Sequence, residues 1–178
     1  DGEGPSSLRL SSIDAAAIVG QLLTVDLHSA VVEVDALRLD GLEALAEDPA
    51  AIRVGGNARP AARFEMSDGE LQRITGNALV LNADAVNLSQ LTITDCDPPA
   101  DDPAAIRVGG NARPVGDVVI EDVEFIRVGG NAEPGDPTAV GLLIDGAERT
   151  TVTNVEVSGG VRVTNPSESV VLDGVTVS

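Results

Sequence analysis

The chain of 178 residues has no lysine, tryptophan or tyrosine, and it contains one cysteine, one histidine and one methionine. With Cys96 as its only cysteine, it cannot form an intrachain disulfide. Without lysine, it cannot supply the lysine of a phosphate-binding loop. The longest apolar run, Ala15 to Leu23, is interrupted by Gly20 and Gln21 and is too short to cross a bilayer. The sequence therefore predicts no membrane insertion.

Positive charge is scarce. The chain has 29 acidic residues against 11 basic ones, all arginine, and a formal net charge of −18. Because phosphate binding requires a basic face, this balance argues against nucleic acid as a partner. At ~1 M salt the Debye length falls to about 3 Å, which would screen the self-repulsion of such a chain. The composition predicts a halophilic source, with an acidic secreted protein from a high-GC organism as the alternative.

One six-residue pattern recurs along the chain: an apolar residue, two small or polar residues, a second apolar residue, a polar residue, and a third apolar residue or alanine. The seven copies start at Leu10, Leu39, Met66, Leu88, Ile120, Val152 and Leu172. Spacing that is constant within copies but variable between them is typical of a solenoid with loops of different length. The apolar positions fit a strand, a bend and a second strand better than a helix.

A third short strand is predicted in each repeat, which would give a triangular coil. These strands are Val32–Val34, Ile52–Val54, Leu79–Leu81, Ile106–Val108 and Val161–Val163. The segment Ala16 to Leu27 fits two interpretations, a short helix that caps the first rung or an extra strand.

With these repeats the chain resembles the right-handed parallel β-helix proteins of the pectin-lyase-like superfamily. The resemblance implies an all-β, single-domain, right-handed parallel β-helix (solenoid) over residues 1–178, with about seven rungs of three short strands. A capping segment is expected within residues 1–30. Inserted loops are expected at residues 45–51, 95–105 and 132–140.

The family's catalytic elements are not found here. Asn82-Ala83-Asp84 is similar to the Asn-Thr-Asp element of polygalacturonases, but their paired Asp, Gly-His-Gly and Arg-Ile-Lys elements are missing. No catalytic residue and no cofactor are therefore assigned. Cys96 is interpreted as a small buried residue rather than a nucleophile, because the only histidine, His28, is far from it in sequence.

A longer repeat overlays the hexads. The segment Asp48–Pro60 recurs unchanged at Asp102–Pro114, and Ile126–Pro134 is a third, shorter version. The offset of 54 residues between the first two copies indicates that two coils were duplicated together. The Gly-Gly-Asn step in each copy is interpreted as a tight corner, since glycine and asparagine accept positive φ. A ligand-binding loop is the alternative.

Two surface features are candidate binding sites. Outward positions of successive rungs are predicted to be Glu33, Arg53, Val80, Arg107, Leu142 and Arg162, of which the last five form the candidate binding stripe. The alternative is that these arginines pair with neighbouring carboxylates. The acidic loop residues Asp95, Asp97, Asp101 and Asp102 form a candidate site for Ca²⁺ or another hard cation, with simple solvation as the alternative.

The functional prediction rests on the last repeat of the predicted solenoid. The last hexad ends at Val177 without a following cap, and exposed strand edges pair with other chains. The sequence therefore predicts an extracellular or cell-surface structural module that associates with itself, or with a neighbouring surface protein, through terminal rungs or lateral faces. The alternatives are a polysaccharide-binding or polysaccharide-degrading β-helix that uses the arginine stripe, and a stable scaffold fragment.

Overall fold

The computed structural model describes residues 6–26, 30–45, 49–56, 60–110, 115–129 and 140–177, and all regular elements among them are β-strands. The first sheet contains β1 (Ser7–Val19), β3 (Val31–Glu43), β5 (Ala61–Thr75), β7 (Ala83–Asp97), β9 (Val115–Val128), β11 (Ala147–Val157), β13 (Ser169–Asp173) and β14 (Thr176–Val177). The second sheet contains β2 (Leu23–Val25), β4 (Ala50–Val54), β6 (Asn77–Leu81), β8 (Ala104–Gly109), β10 (Val140–Asp145) and β12 (Gly160–Thr164). The predicted all-β class is confirmed.

The chain alternates between the two sheets, and each strand pairs in parallel with the corresponding strand of the next repeat. In the first sheet Leu8 lies beside Val32, and Val32 lies beside Phe64. In the second sheet Ile52 lies beside Leu79. Residues that lie beside one another in this way are called a column below. The arrangement is compatible with a parallel β-helix.

The long strands of the first sheet bend at residues with left-handed backbone conformation. The first bend column consists of Ser12, Ala36, Asp68, Gln90, Asp122, Asn154 and Gly174. The second consists of Ala17, Gly41, Arg73, Asp95, Arg127 and Gly159. Glycine and short polar residues adopt this conformation most easily, and they are common in both columns. The strands predicted on either side of each bend are thus segments of one continuous strand.

The hexads mark the first bend in every copy except the second. That copy, predicted from Leu39, spans the second bend at Gly41, whereas Val34 occupies the column of Leu10 and Met66. The two bends lie five residues apart, and inward apolar residues surround each of them in the same order. The pattern alone therefore fits either bend of a strand, which explains the wrong start.

The interior is packed with aliphatic side chains and the two phenylalanines, all buried. Met66 occupies space that Gly69 leaves open, since a methyl group at Gly69 would lie 2.6 Å from Cε of Met66. Gly141 lies at a register shift in β10, where a methyl group would lie 3.2 Å from Cγ of Phe125. These glycines make room for Met66 and Phe125 in a narrow core.

The second sheet corrects one prediction about the first repeats and decides between two interpretations of another segment. Val32–Val34 belongs to β3 in the first sheet, and Leu23–Val25 takes the corresponding place in the second sheet, beside Ile52–Val54. Residues 16–25 contribute the end of β1 and then β2, so the segment follows the strand interpretation and not the helical one.

The 54-residue duplication spans two repeats, because Phe64 lies beside Val86 and Val86 beside Val118. Both Gly55 and Gly109 have positive φ, as a tight corner requires, while the asparagines that follow lie outside the described residues. In the predicted loop 95–105, only residues 98–103 lie between strands. In the predicted loop 45–51, residues 50 and 51 belong to β4. Residues 46–48 of this loop and residues 132–139 of the predicted loop 132–140 lie outside the described part of the chain, and Val140 begins β10.

Candidate functional site

Arginine is used mainly to join neighbouring strands. Nε of Arg9 lies 3.7 Å from Oε2 of Glu33 in the adjacent strand, and Arg149 pairs in the same way with Asp117. The arginines with an ion pair among the described residues include Arg9, Arg38, Arg63, Arg73, Arg107, Arg127 and Arg149. Exposed pairs contribute at most about 1 kcal/mol each, so their main effect here is to reduce repulsion between acidic strands.

Charges alternate in sign along part of the second bend column. Asp95 lies between Arg73 and Arg127, and Nη2 of Arg127 donates a 2.8 Å hydrogen bond to Oδ2 of Asp95. Hydrogen bonding from Arg127 holds the pKa of Asp95 below its usual value; the charges of both arginines add to this effect, and burial opposes it. The same cause, a hydrogen bond from Arg149, lowers the pKa of Asp117.

Two carboxylates of the first sheet lie beside each other without an arginine between them. Glu124 lies directly beside Glu156 in the adjacent strand, and neither makes an ion pair with any residue in the described ranges. Both line a shallow groove with Gln90, Thr92 and Asp122. The groove is acidic, and like charges placed opposite each other destabilise a sheet.

The predicted stripe exists in the second sheet with different members. Its column is Thr24, Arg53, Val80, Arg107, Leu143 and Arg162. Leu142 is not in this column, because it lies beside Ile106 and is completely buried. Glu33 lies in the first sheet. The sequence offered two consecutive leucines, and only the strand register shows which one faces outward.

The stripe is not a row of free cations. Nη1 of Arg107 lies 2.7 Å from Oδ2 of Asp102, and a methyl group at Gly110 would lie 2.3 Å from Nη2 of Arg107, so the guanidinium is folded against the backbone. Val80 is only 4% exposed, although it occupies the outward column. Arg162 is exposed. The pairing of Arg107 with Asp102 therefore agrees with the alternative prediction, in which the arginines of the stripe pair with neighbouring carboxylates.

The carboxylates of the predicted cation site are not brought together. Asp95 pairs with Arg127 at a bend of the first sheet, and Asp102 pairs with Arg107 beside the second sheet. All four predicted ligands are described, and the described ranges contain no group of three or more His, Cys, Asp or Glu that could hold a metal ion. The four carboxylates predicted as cation ligands, Asp95, Asp97, Asp101 and Asp102, therefore do not form a metal-binding group in the structure.

Cys96 is a core residue, as predicted. It lies between Ile74 and Val128 in an interior column, and its Sγ donates a 3.3 Å hydrogen bond to the carbonyl oxygen of Gly76. Burial raises the pKa of its thiol to about 12, so the nucleophilic thiolate is not formed near neutral pH. His28 lies outside the described residues.

Asn77 is a buried polar residue that the sequence analysis did not single out. Its Nδ2 donates hydrogen bonds of 3.0 Å to the carbonyl oxygen of Asp102 and 2.7 Å to that of Ala104. These bonds attach the connection between β7 and β8 to the second sheet. A single asparagine in an otherwise apolar column, between Ala50 and Ala104, was the available signal.

The last strands of the first sheet expose side chains that belong to interior columns. Val170, Leu172 and Val177 are 38%, 51% and 60% exposed. Their neighbours in β11 are buried and are Thr150, Val152 and Val157. Val171, which faces outward between Val170 and Leu172, is also about half exposed. Together these form an apolar edge, called the terminal edge below: Val170, Val171, Leu172 and Val177.

Comparison of the chain with family models, with curated proteins and with solved structures finds no match in any of the three. In the described part of the chain, no helix is long and apolar enough to span a membrane. The terminal edge is therefore the feature on which a functional proposal can be built, since it is the largest group of exposed apolar side chains at one place among the described residues.

Proposed function

We propose that this chain is a structural module that associates with itself through the terminal edge. In this proposal the two parallel sheets form a single-domain, right-handed parallel β-helix of about seven rungs, of the pectin-lyase-like type. The module extends by addition of further copies at its end, in an extracellular or cell-surface setting. The observation that carries the proposal is the exposure of Val170, Leu172 and Val177 in columns that are otherwise interior.

Exposed edges of this kind favour association for two reasons. The outer side of β13 has backbone groups that no other described strand pairs, and such groups act as a template for another strand. The apolar side chains of the terminal edge are half exposed, and covering each one contributes on the order of 1 kcal/mol. Both gains are available at the same place and require a partner that supplies a strand.

The net charge sets the conditions for assembly. Two copies that each carry a formal charge of −18 repel one another at low ionic strength. At ~1 M salt the Debye length is about 3 Å, and only charges in direct contact still interact strongly. Self-association is therefore expected at high salt, which agrees with the halophilic composition.

The polysaccharide alternative receives less support from the geometry. It needs arginines that can reach an acidic glycan, but Arg107 is engaged with Asp102 and Val80 is buried between the arginines. A chain with this charge would also repel an acidic glycan over most of its surface. The terminal edge remains the better basis for a function.

The proposal is tested by sedimentation velocity and electron microscopy of the purified chain between roughly 0.1 and 3 M salt. Leu172→Asp places a charge in the terminal edge and should abolish assembly. The control is Val119→Asp, because Val119 is exposed on the outer face of the first sheet in the column of Val171, but two strands before it and not in the last strand. Circular dichroism establishes that both variants fold.

Three results would decide between the readings. Filaments or oligomers that Leu172→Asp removes and Val119→Asp preserves would support the proposal. Loss of assembly in Val119→Asp alone would show lateral packing of sheet faces and overturn the role of the terminal edge. A wild-type chain that stays monomeric at every salt concentration would overturn the structural function itself.

A further inference from the structure

We infer that the partner of the terminal edge is β1 of a second copy, joined in one specific parallel register, an inference that rests on the proposed function. In this register Ser169 lies beside Ser7 of the incoming copy, and Val177 lies beside Ala15. The junction extends the first sheet from copy to copy. Among the described residues no second-sheet strand follows β13, so the first sheet carries the contact.

The interior columns of the two ends match in this register. Val170 lies beside Leu8 and Leu172 beside Leu10; after the bend, Val175 lies beside Ile13 and Val177 beside Ala15. The members from β1 are only partly buried in the single chain and pack against its core, so they also present apolar surface at their end. The junction covers the apolar side chains of β13 and β14 and those of β1. It also continues the interior columns that run between the neighbouring strands of the first sheet within one chain.

The bend restricts the pairing further. Gly174 has a φ of 64° and Ser12 a φ of 54°, and in the proposed register these two left-handed residues lie beside one another. The sequence around the bend is asymmetric, because Leu172 is two residues before Gly174 and Val175 is one residue after it. An antiparallel pair of two terminal edges with superposed bends would therefore place each inward side chain opposite an outward one. This excludes a symmetric end-to-end dimer with superposed bends.

The outward positions are also compatible. The residues that meet are Ser169 with Ser7, Val171 with Arg9, Asp173 with Ser11 and Thr176 with Asp14. No two carboxylates face each other in this set, although the chain has 29 acidic residues. The aliphatic stem of Arg9 can cover Val171 while its guanidinium remains paired with Glu33.

One competing parallel register exists, displaced by five residues, because β1 has a second bend at Ala17. There Gly174 would lie beside Ala17 and Asp173 beside Ala16. This register places Ser169 beside the bend at Ser12 of the incoming β1, and β13 has no bend at Ser169 to match it. It also pairs eight residues of β1, residues 12–19, where the proposed register pairs nine, residues 7–15.

A pair of charge substitutions separates the two registers. Ser11→Asp places a carboxylate opposite Asp173 in the proposed register, whereas Ala16→Asp does so in the displaced register. The two variants are matched, because both positions are exposed and each already lies beside an aspartate of β3, Asp35 or Asp40. The readout is the critical concentration for assembly at a salt concentration where the wild type is half assembled.

We expect Ser11→Asp to raise the critical concentration by roughly twofold to fivefold, the range of a like-charge pair across a sheet. Ala16→Asp should leave it unchanged, and adding Asp173→Arg to Ser11→Asp should restore assembly. The opposite order of the two single variants, or equal effects of both, would overturn the register while the proposed function stands. If the wild type does not assemble at all, the proposed function fails, and this inference fails with it.

Discussion

Thr150 is the clearest stability defect in the core, and replacing it by valine should stabilise the protein. The residue is 1% exposed, and its hydroxyl oxygen has no hydrogen-bond partner within the described structure. It lies in an interior column between Val118 and Val170. Burying a hydroxyl without a partner costs about 1–3 kcal/mol, and valine has the same shape without the hydroxyl.

We expect Thr150→Val to raise the free energy of unfolding by about 1–2 kcal/mol. For a chain of this size, each 1 kcal/mol corresponds to roughly 2–4 °C, so Tm should rise by roughly 2–8 °C. The matched control is Val118→Thr, which introduces the same unsatisfied hydroxyl at the neighbouring position and should lower Tm by a similar amount. Thermal unfolding followed by circular dichroism at constant salt measures both. An unchanged or lower Tm for Thr150→Val would refute the assignment of Thr150 as an unsatisfied core residue.

Two further predictions concern the surface charges. Glu124→Gln removes a like-charge pair and should raise Tm at low salt but not at ~1 M salt. The control Glu70→Gln breaks an ion pair and should not raise Tm. Thermal scans across salt measure both variants, and an equal gain in Tm for both would contradict the prediction. Asp95→Asn should destabilise the chain at pH 7, because the pKa of Asp95 is lower in the folded than in the unfolded state. That contribution is present above the ordinary pKa of an aspartate, 3.8, and is lost as pH falls through the lower pKa of the folded state, so wild type and variant should converge in acid. Denaturant titrations between pH 7 and 2.5 measure the difference, and a constant gap would contradict the assignment.

Local sequence was sufficient for the features that depend on neighbouring residues. The third residue of each hexad bends the chain in every copy, and apart from Gln90 it is glycine or a short polar residue, the types that tolerate left-handed φ best. The alternation around each bend also identified interior residues correctly, as the burial of Ile93 and Val155 shows. These properties belong to segments of six residues and need no knowledge of the loops.

Features that depend on register between strands could not be predicted in the same way. The second hexad was assigned to the wrong bend because both bends of β3 satisfy the same pattern. Leu142 was placed outward because the length of the preceding connection does not fix which of two leucines aligns with Arg107. The carboxylate partner of an arginine also depends on register, so the pairing of Arg107 with Asp102 was only one of two interpretations.

The distribution of charge explains why assembly at the ends should win over assembly at the sides. Within the described residues, most arginines pair with carboxylates of their own chain, so the side faces keep most of the net charge of −18. The outward positions at the proposed junction include only one carboxylate from β13 and β14, Asp173, and one from the facing part of β1, Asp14. Lateral contacts would therefore oppose many charges, whereas end contacts oppose few. As salt is raised, end-to-end assembly should appear first, and lateral bundles only at higher salt.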